Sequence, residues 1–224
     1  MNGVARIAVL VSGSGSNLQS LLDRFNAGAA GSARVALVIA SRAGIGALER
    51  ARAAGVASEI LDPRTAGDVH AERMLRVLER EKIDLVVLAG YLHLVPEAVV
   101  QRFRGKMLNV HPALLPSFGG SGMYGMRVHR AVLAAGVRVS GATVHQVDEC
   151  YDEGAIVAQW PVPVLPGDTA ESLATRVLQV EHLLLPAAVD TLVASEKIES
   201  LSEPACFKLS NDVPNPETIL ALNS

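Results

Sequence analysis

Cysteine is nearly absent. Cys150 and Cys206 are the whole complement, far apart in the chain and in no metal-ligand spacing. That excludes a disulfide framework and leaves two reduced thiols, so a cytoplasmic location is expected. Aromatics are scarce, with four Phe, three Tyr and one Trp, too few for a base-stacking platform. The formal net charge of -3 supplies no field to draw nucleic acid or an anionic bilayer. No uninterrupted apolar run reaches the roughly 20 residues of a membrane-spanning helix. The first residues enter a strand without a basic segment and apolar signal core, so no leader is expected. The expected partners are therefore small molecules, with no nucleic acid and no membrane, for a monomer or homodimer. The six histidines form no HExxH or related spacing, so no metal is expected. No GxSxG is present, which removes the nucleophile elbow of a hydrolase.

What the chain does hold is alternation. Residues 5–12 (ARIAVLVS) and 34–41 (RVALVIAS) are continuous apolar runs of the kind buried parallel strands require. Further strands are expected at 57–61, 84–88 and 107–110. Between them, 17–27 puts Leu18, Leu21, Leu22 and Phe25 on one helical face, and 45–54 is an Ala-rich helix stopped by Gly55. Residues 70–81 and 96–103 read as helices, the second with Pro96 in its first turn. Short connections imply right-handed crossovers. The fold class is α/β, an open, mostly parallel twisted sheet with helices on both faces. Residues 139–147 (VSGATVHQV) and 155–164 (AIVAQWPVPV) then read as an antiparallel C-terminal strand pair, and 169–194 as one long helix capped by Asp168 or Thr169. Residues 1–195 are expected to be a single domain. Residues 196–224, polar and with Pro204, Pro214 and Pro216, read as a surface-draped or partly disordered tail.

Two motifs carry chemistry. Ser12-Gly13-Ser14-Gly15-Ser16-Asn17-Leu18 joins the first strand to the first helix, where a parallel sheet binds ligands and a helix N-terminus offers free N–H groups to phosphate. Leu18 stands where a third glycine would complete GxGxxG, so a monophosphate suits this loop better than a dinucleotide. The alternative is a tight turn with no ligand. Asn109-Val110-His111-Pro112 ends the strand at 107–110, and its Asn and His point to one face of an extended strand. An amide and an imidazole placed so can donate to an oxygen that gains negative charge. Asp152 follows some forty residues later in Cys150-Tyr151-Asp152-Glu153-Gly154 and can orient and charge the imidazole, or take a proton from an attacking amine. Taken singly, the His reads equally as a structural residue and the Asp as a turn former. Spacing alone does not join Asp152 to His111.

These segments, with Leu88-Ala89-Gly90-Tyr91, Ala113-Leu114-Leu115-Pro116 and Gly141-Ala142-Thr143-Val144-His145, resemble the folate-dependent formyltransferases of purine synthesis, the phosphoribosylglycinamide formyltransferase family. The likeness runs from the first strand to the end of the long helix. It implies a Rossmann-like formyltransferase fold and transfer of formyl from the co-substrate 10-formyltetrahydrofolate to the amine of 5-phosphoribosylglycinamide. By resemblance, Gly15, Ser16 and Asn17 hold the phosphate, Glu181 contacts the ribose hydroxyls and Gly90 leaves room for the glycinamide. Asn109 and His111 stabilise the oxyanion, Asp152 orients His111 and relays a proton, and His145 supports them. Leu92, His93, Leu94, Val95, Asn109, Asp148 and Tyr151 line the folate slot.

The chain departs from that pattern in three places. It has Leu92-His93-Leu94-Val95 where many members have Met-Arg-Ile-Leu, and no arginine near Gly67 matches one that meets the folate tail. The loop 118–126 is longer and richer in glycine than the usual Pro-Gly turn, which makes it a mobile lid or a plain surface loop. Rival readings are a formyltetrahydrofolate hydrolase, a methionyl-tRNA formyltransferase and a non-catalytic sugar-phosphate sensor. The phosphate loop and the absence of the extra domains of the first two argue against those. The Asn109, His111 and Asp152 set argues against the sensor.

Overall fold

The sheet is built from runs whose alternate residues feed two different cores. Along β1 (Ala5–Val11), Ile7, Val9 and Val11 pack into one apolar cluster while Ala8 and Leu10 pack into the other. A strand buried on both faces has no polar side, which is why it reads as a continuous apolar run. The structure, a computed structural model, describes residues 4–28 and 31–194. It orders seven strands β3-β2-β1-β4-β5-β6-β7, with β2 (Ala33–Ala40), β3 (Ala57–Ile60), β4 (Leu85–Leu88), β5 (Met107–His111), β6 (Val139–Gln146) and β7 (Ile156–Pro163). The pairs from β3 across to β5 are parallel, and β5–β6 and β6–β7 are antiparallel. This is the expected α/β sheet with its antiparallel C-terminal pair.

The first face is covered by α1 (Ser16–Phe25), α2 (Gly46–Ala53), α5 (Met126–Ala134) and α6 (Ala170–Ala194). The second is covered by α3 (Gly67–Arg80) and α4 (Glu97–Arg102). Helix α3 starts three residues earlier than the expected 70, at Gly67, so Asp68 lies in its first turn, where its charge suits the helix dipole. Helix α5 was not expected at all. Its glycine-rich approach masks an amphipathic turn in which Val128, His129 and Val132 are buried. The tail expected over 196–224, and Cys206 within it, lie outside the described residues.

The chain runs outward from β1 to β3, then returns to the other side of β1 as β4 and β5. The strand order therefore reverses between β1 and β4, and a crevice opens there beyond their carboxyl ends. The two loops at that crevice are tied together. The Ser12 amide donates to the Gly90 carbonyl at 3.1 Å, and the Leu92 amide donates to the Ser12 hydroxyl at 3.1 Å. Gly15, at φ 77°, must be glycine, because a Cβ there would sit 2.7 Å from the Ala47 backbone.

Among the described residues α6 alone passes, by length and composition, for a membrane-spanning helix, with a mean hydropathy of 1.4 over its most apolar window. The expectation from uninterrupted runs missed it, because Arg176 and Glu181 interrupt the apolar residues. Its apolar stripe, Leu173, Val177, Val180, Leu184 and Val189, is buried in the first core. Arg176 anchors it. The guanidinium makes a two-pronged pair with Asp168 at 2.8 and 2.9 Å and also donates to the Pro163 carbonyl at 2.9 Å, joining α6 to the end of β7. That pair, with help from Ser172 and the Leu165 amide and against the cost of burial, holds the Asp168 carboxyl far below the usual carboxylate range. Removing one partner strands a buried charge. Arg176→Met is expected to cost on the order of 3 kcal/mol in denaturant unfolding at pH 7. The wild-type margin should shrink in acid as Asp168 protonates, and the variant should lack that acid-sensitive part.

Candidate active site

Asn109 and His111 are two residues apart on β5, so their side chains emerge on one face. Across the antiparallel ladder, Asn109 lies opposite His145 and His111 opposite Thr143. Directly opposed residues share a face, so β6 delivers His145 to the same spot. Asp152 arrives from the loop between β6 and β7 with a left-handed backbone, φ 58°. Asp tolerates that region better than most residues, and such outliers collect at functional sites.

The four side chains converge. The Asp152 carboxylate lies 3.4 Å from His111 Nδ1 and 3.5 Å from His145 Nε2. Asn109 Nδ2 is 3.0 Å from His145 Nε2 and 3.4 Å from Asp152 Oδ1. The Gly120 amide donates to Asp152 Oδ2 at 2.9 Å. The contact left open by sequence spacing, Asp152 with His111, is present in the fold.

The partners assign the protons. His111 Nε2 meets the Phe118 carbonyl at 2.9 Å, and a carbonyl only accepts, so Nε2 carries hydrogen. His145 Nδ1 meets the Gln146 carbonyl at 2.8 Å and carries hydrogen by the same reasoning. Its Nε2 lies 3.0 Å from Asn109 Nδ2, the amide nitrogen that also reaches toward Asp152. Burial pushes the His111 imidazole below its ordinary value, against the opposing pull of Asp152 and the Phe118 carbonyl. Asp152 had been expected to favour a charged His111; it does so, but desolvation outweighs it. Burial also works to raise Asp152, but His145, His111 and the Gly120 amide together leave its carboxyl below the usual carboxylate range. The resting site is a carboxylate held between two imidazoles, an amide and a backbone N–H.

A cavity of about 740 Å³ opens in front of this cluster. Its walls include Gly90, Leu92, His93, Leu94 and Val95 from the β4 side, and Asp148, Cys150 and Tyr151 from the β6–β7 loop. Ser14, Asn17 and Glu181 close another end. Glu181 and Asn17 are buried and joined by a 2.6 Å hydrogen bond from Asn17 Nδ2. Burial lifts the Glu181 carboxyl to about 7, against the pull of that bond. Gly15 and Ser16 do not line the cavity. Gly15 packs on α2 instead, where Arg50 donates to the Ser14 carbonyl at 3.0 Å.

One wall runs from Gly120 through Tyr124 and Arg127 to His129; its first part is the glycine-rich loop already singled out, and what sequence reasoning missed is the helix that follows. The apolar spacing of Val128 and Val132 was the available signal for its helix. Among the described residues no group of three or more His, Cys, Asp or Glu is arranged to hold a metal ion.

Residues 5–189 match the family model described as formyl transferase. The chain is 42% identical over 213 residues to the chloroplastic phosphoribosylglycinamide formyltransferase of Vigna unguiculata, covering 94% of this chain and 67% of that protein. It is 42% identical over 197 residues to the human trifunctional purine biosynthetic protein adenosine-3, but spans only 19% of that protein's length against 87% of its own. Glycinamide ribonucleotide transformylase 1 from Symbiobacterium toebii superposes with a TM-score of 0.80 at 41% identity, covering 87% of this chain and 90% of that one. Phosphoribosylglycinamide formyltransferase from Brucella melitensis gives 0.77 at 39% identity over 86% and 97% of the two chains. The family match, the superposition and this level of identity leave one assignment: the chain belongs to the formyl transferase family, among its phosphoribosylglycinamide formyltransferases.

Proposed function

We propose that Asn109, His111 and Asp152 form the reacting centre of this formyltransferase, with His145 holding Asn109 in place. The enzyme transfers the formyl group of 10-formyltetrahydrofolate to the amine of 5-phosphoribosylglycinamide in purine biosynthesis. The observation that carries the residue assignment is the convergence of an amide, two imidazoles and one ionised carboxylate within 3.5 Å, at the mouth of a cavity of about 740 Å³.

The amine attacks the formyl carbon, a C–N bond forms, and the carbonyl electron pair moves onto oxygen. His111 Nε2–H, which the Phe118 carbonyl accepts in the resting site, marks where the oxyanion draws its first donor. Asn109 supplies the second. In the resting site its N–H groups are taken by His145 and, at a long 3.4 Å, by Asp152. Asp152 takes the proton lost by the amine, directly or through water. Its grip on the amide weakens as its charge is neutralised, so the same proton transfer frees an Asn109 N–H for the oxyanion. Collapse of the intermediate breaks the bond to the folate nitrogen, which takes up the proton, and tetrahydrofolate leaves. No metal is assigned a part in these steps.

Each end of the cavity suits one substrate. The rim at Leu92, Leu94 and Tyr151 exposes 45%, 48% and 37% of those side chains, an apolar edge fitted to the flat pterin. Ser14, Asn17 and Glu181 offer α1's uncapped N-terminus to the phosphate and a carboxylate to the ribose hydroxyls. Gly15 and Ser16 act through their backbone in shaping that turn. The setting is the cytoplasm, in keeping with the scarcity of cysteine.

Purified protein with both substrates should release tetrahydrofolate. Tight ribonucleotide binding without turnover would instead favour the sensor reading. Asp152→Asn is expected to lower kcat by about 10² to 10⁴ while ribonucleotide affinity measured by calorimetry is largely kept. Near wild-type turnover would remove Asp152 from the proton path. Glu181 titrates at about 7, so KM for the ribonucleotide should fall as pH rises through that value, and Glu181→Gln should flatten the profile. The sign for stability is opposite. The unfolded carboxyl ionises near 4.5 and the folded one near 7, so the ligand-free protein loses stability between those values. Glu181→Gln should abolish that loss in pH-dependent thermal melts.

A further inference from the structure

We propose that Arg127 is the anion-binding side chain of this cavity and takes the phosphate of the ribonucleotide. The assignment rests on the reading of the cavity as a joint ribonucleotide and folate site, and it names the group that meets the strongest charge either substrate carries.

Charge is the first argument. Asp148, Asp152 and Glu181 line the cavity, and among the described lining residues Arg127 is the one arginine, with no lysine beside it. A phosphate monoester brings about two negative charges into a space already walled by carboxylates. The N-terminus of α1 contributes N–H groups and a partial charge only. A full positive charge is needed, and Arg127 is the one arginine the lining offers.

Position is the second argument. Arg127 lies in the first turn of α5, whose Val128 and Val132 share a core with Leu173 and Val177 of α6. One turn further along, Arg130 is near enough to Glu171 of α6 to add a small pull on its carboxyl, which its own backbone amide and Thr169 lower more strongly. Helix α5 therefore runs along α6. The α6 wall of the cavity is Ala174, Leu178 and Glu181, the ribose end. Tyr91 and Val95, at the pterin end, belong to the core on the opposite face of the sheet.

Readiness is the third. The Arg127 guanidinium carbon sits 4.8 Å from the Tyr124 ring centroid. Stacking orients the group without consuming any of its N–H donors. No carboxylate among the described residues is within ion-pair distance of it. The side chain is exposed, so replacing it leaves the packing of α5 intact.

Calorimetric titration of wild type, Arg127→Met and Arg127→Lys with the ribonucleotide and with its phosphate-free nucleoside tests this. Arg127→Met should bind the ribonucleotide about tenfold or more weakly, the loss of a charge-assisted contact. It should bind the nucleoside as wild type does, and Arg127→Lys should fall between. In turnover, KM for 10-formyltetrahydrofolate should not move. Unchanged ribonucleotide affinity, an equal loss on the nucleoside, or a loss confined to the folate KM would each overturn the assignment while leaving the site reading in place. Wild-type protein that binds neither ribonucleotide nor nucleoside would overturn the reading of the cavity and the assignment with it.

Discussion

One carboxylate organises the site. Asp152 holds a buried negative charge against the cost of desolvation, and it does so only because His111, His145, Asn109 and the Gly120 amide all reach it. Those groups come from three separate parts of the chain: β5, β6 and the glycine-rich loop. The left-handed backbone at Asp152 is the local strain that points the carboxylate inward. Remove the charge and the orientation of both imidazoles, the amide and the loop loses its common reference.

The sheet makes that convergence possible by changing direction. Up to β5 the strands are parallel, and their carboxyl ends open a crevice at the β1–β4 reversal. An all-parallel sheet would place the next strand's corresponding residue a crossover away. The antiparallel β5–β6 pairing instead sets His145 directly opposite Asn109 and sends the following loop back over the strand ends, carrying Asp152 with it. The pair Arg176–Asp168 then locks α6 to β7, so that Glu181 faces Asn17 across the same crevice.

Much of this was legible in the chain. The strand runs were clear because burial on both faces removes polar residues from them, and β1, β2 and β4 were readable within a residue or so of their ends. Leu92, His93, Leu94, Val95, Asp148, Tyr151 and Glu181, far apart in the chain, line one cavity. Helix α5 was not legible. Four glycines in 119–125 and a helix of nine residues give weak periodicity, and what stabilises that helix is packing on α6, which no local pattern records.

The sequence by itself determined the α/β class, the glycine turn before α1 and the same-face placement of Asn109 and His111, because each follows from local periodicity or backbone freedom. Only the tertiary structure decided that Asp152 meets His111, that His145 meets Asn109, that burial lowers the His111 imidazole and that Arg127 lines the cavity. The physical reason is common to all four. Each depends on distances between segments far apart in the chain and on how much water their packing excludes, and neither quantity is encoded at any one position.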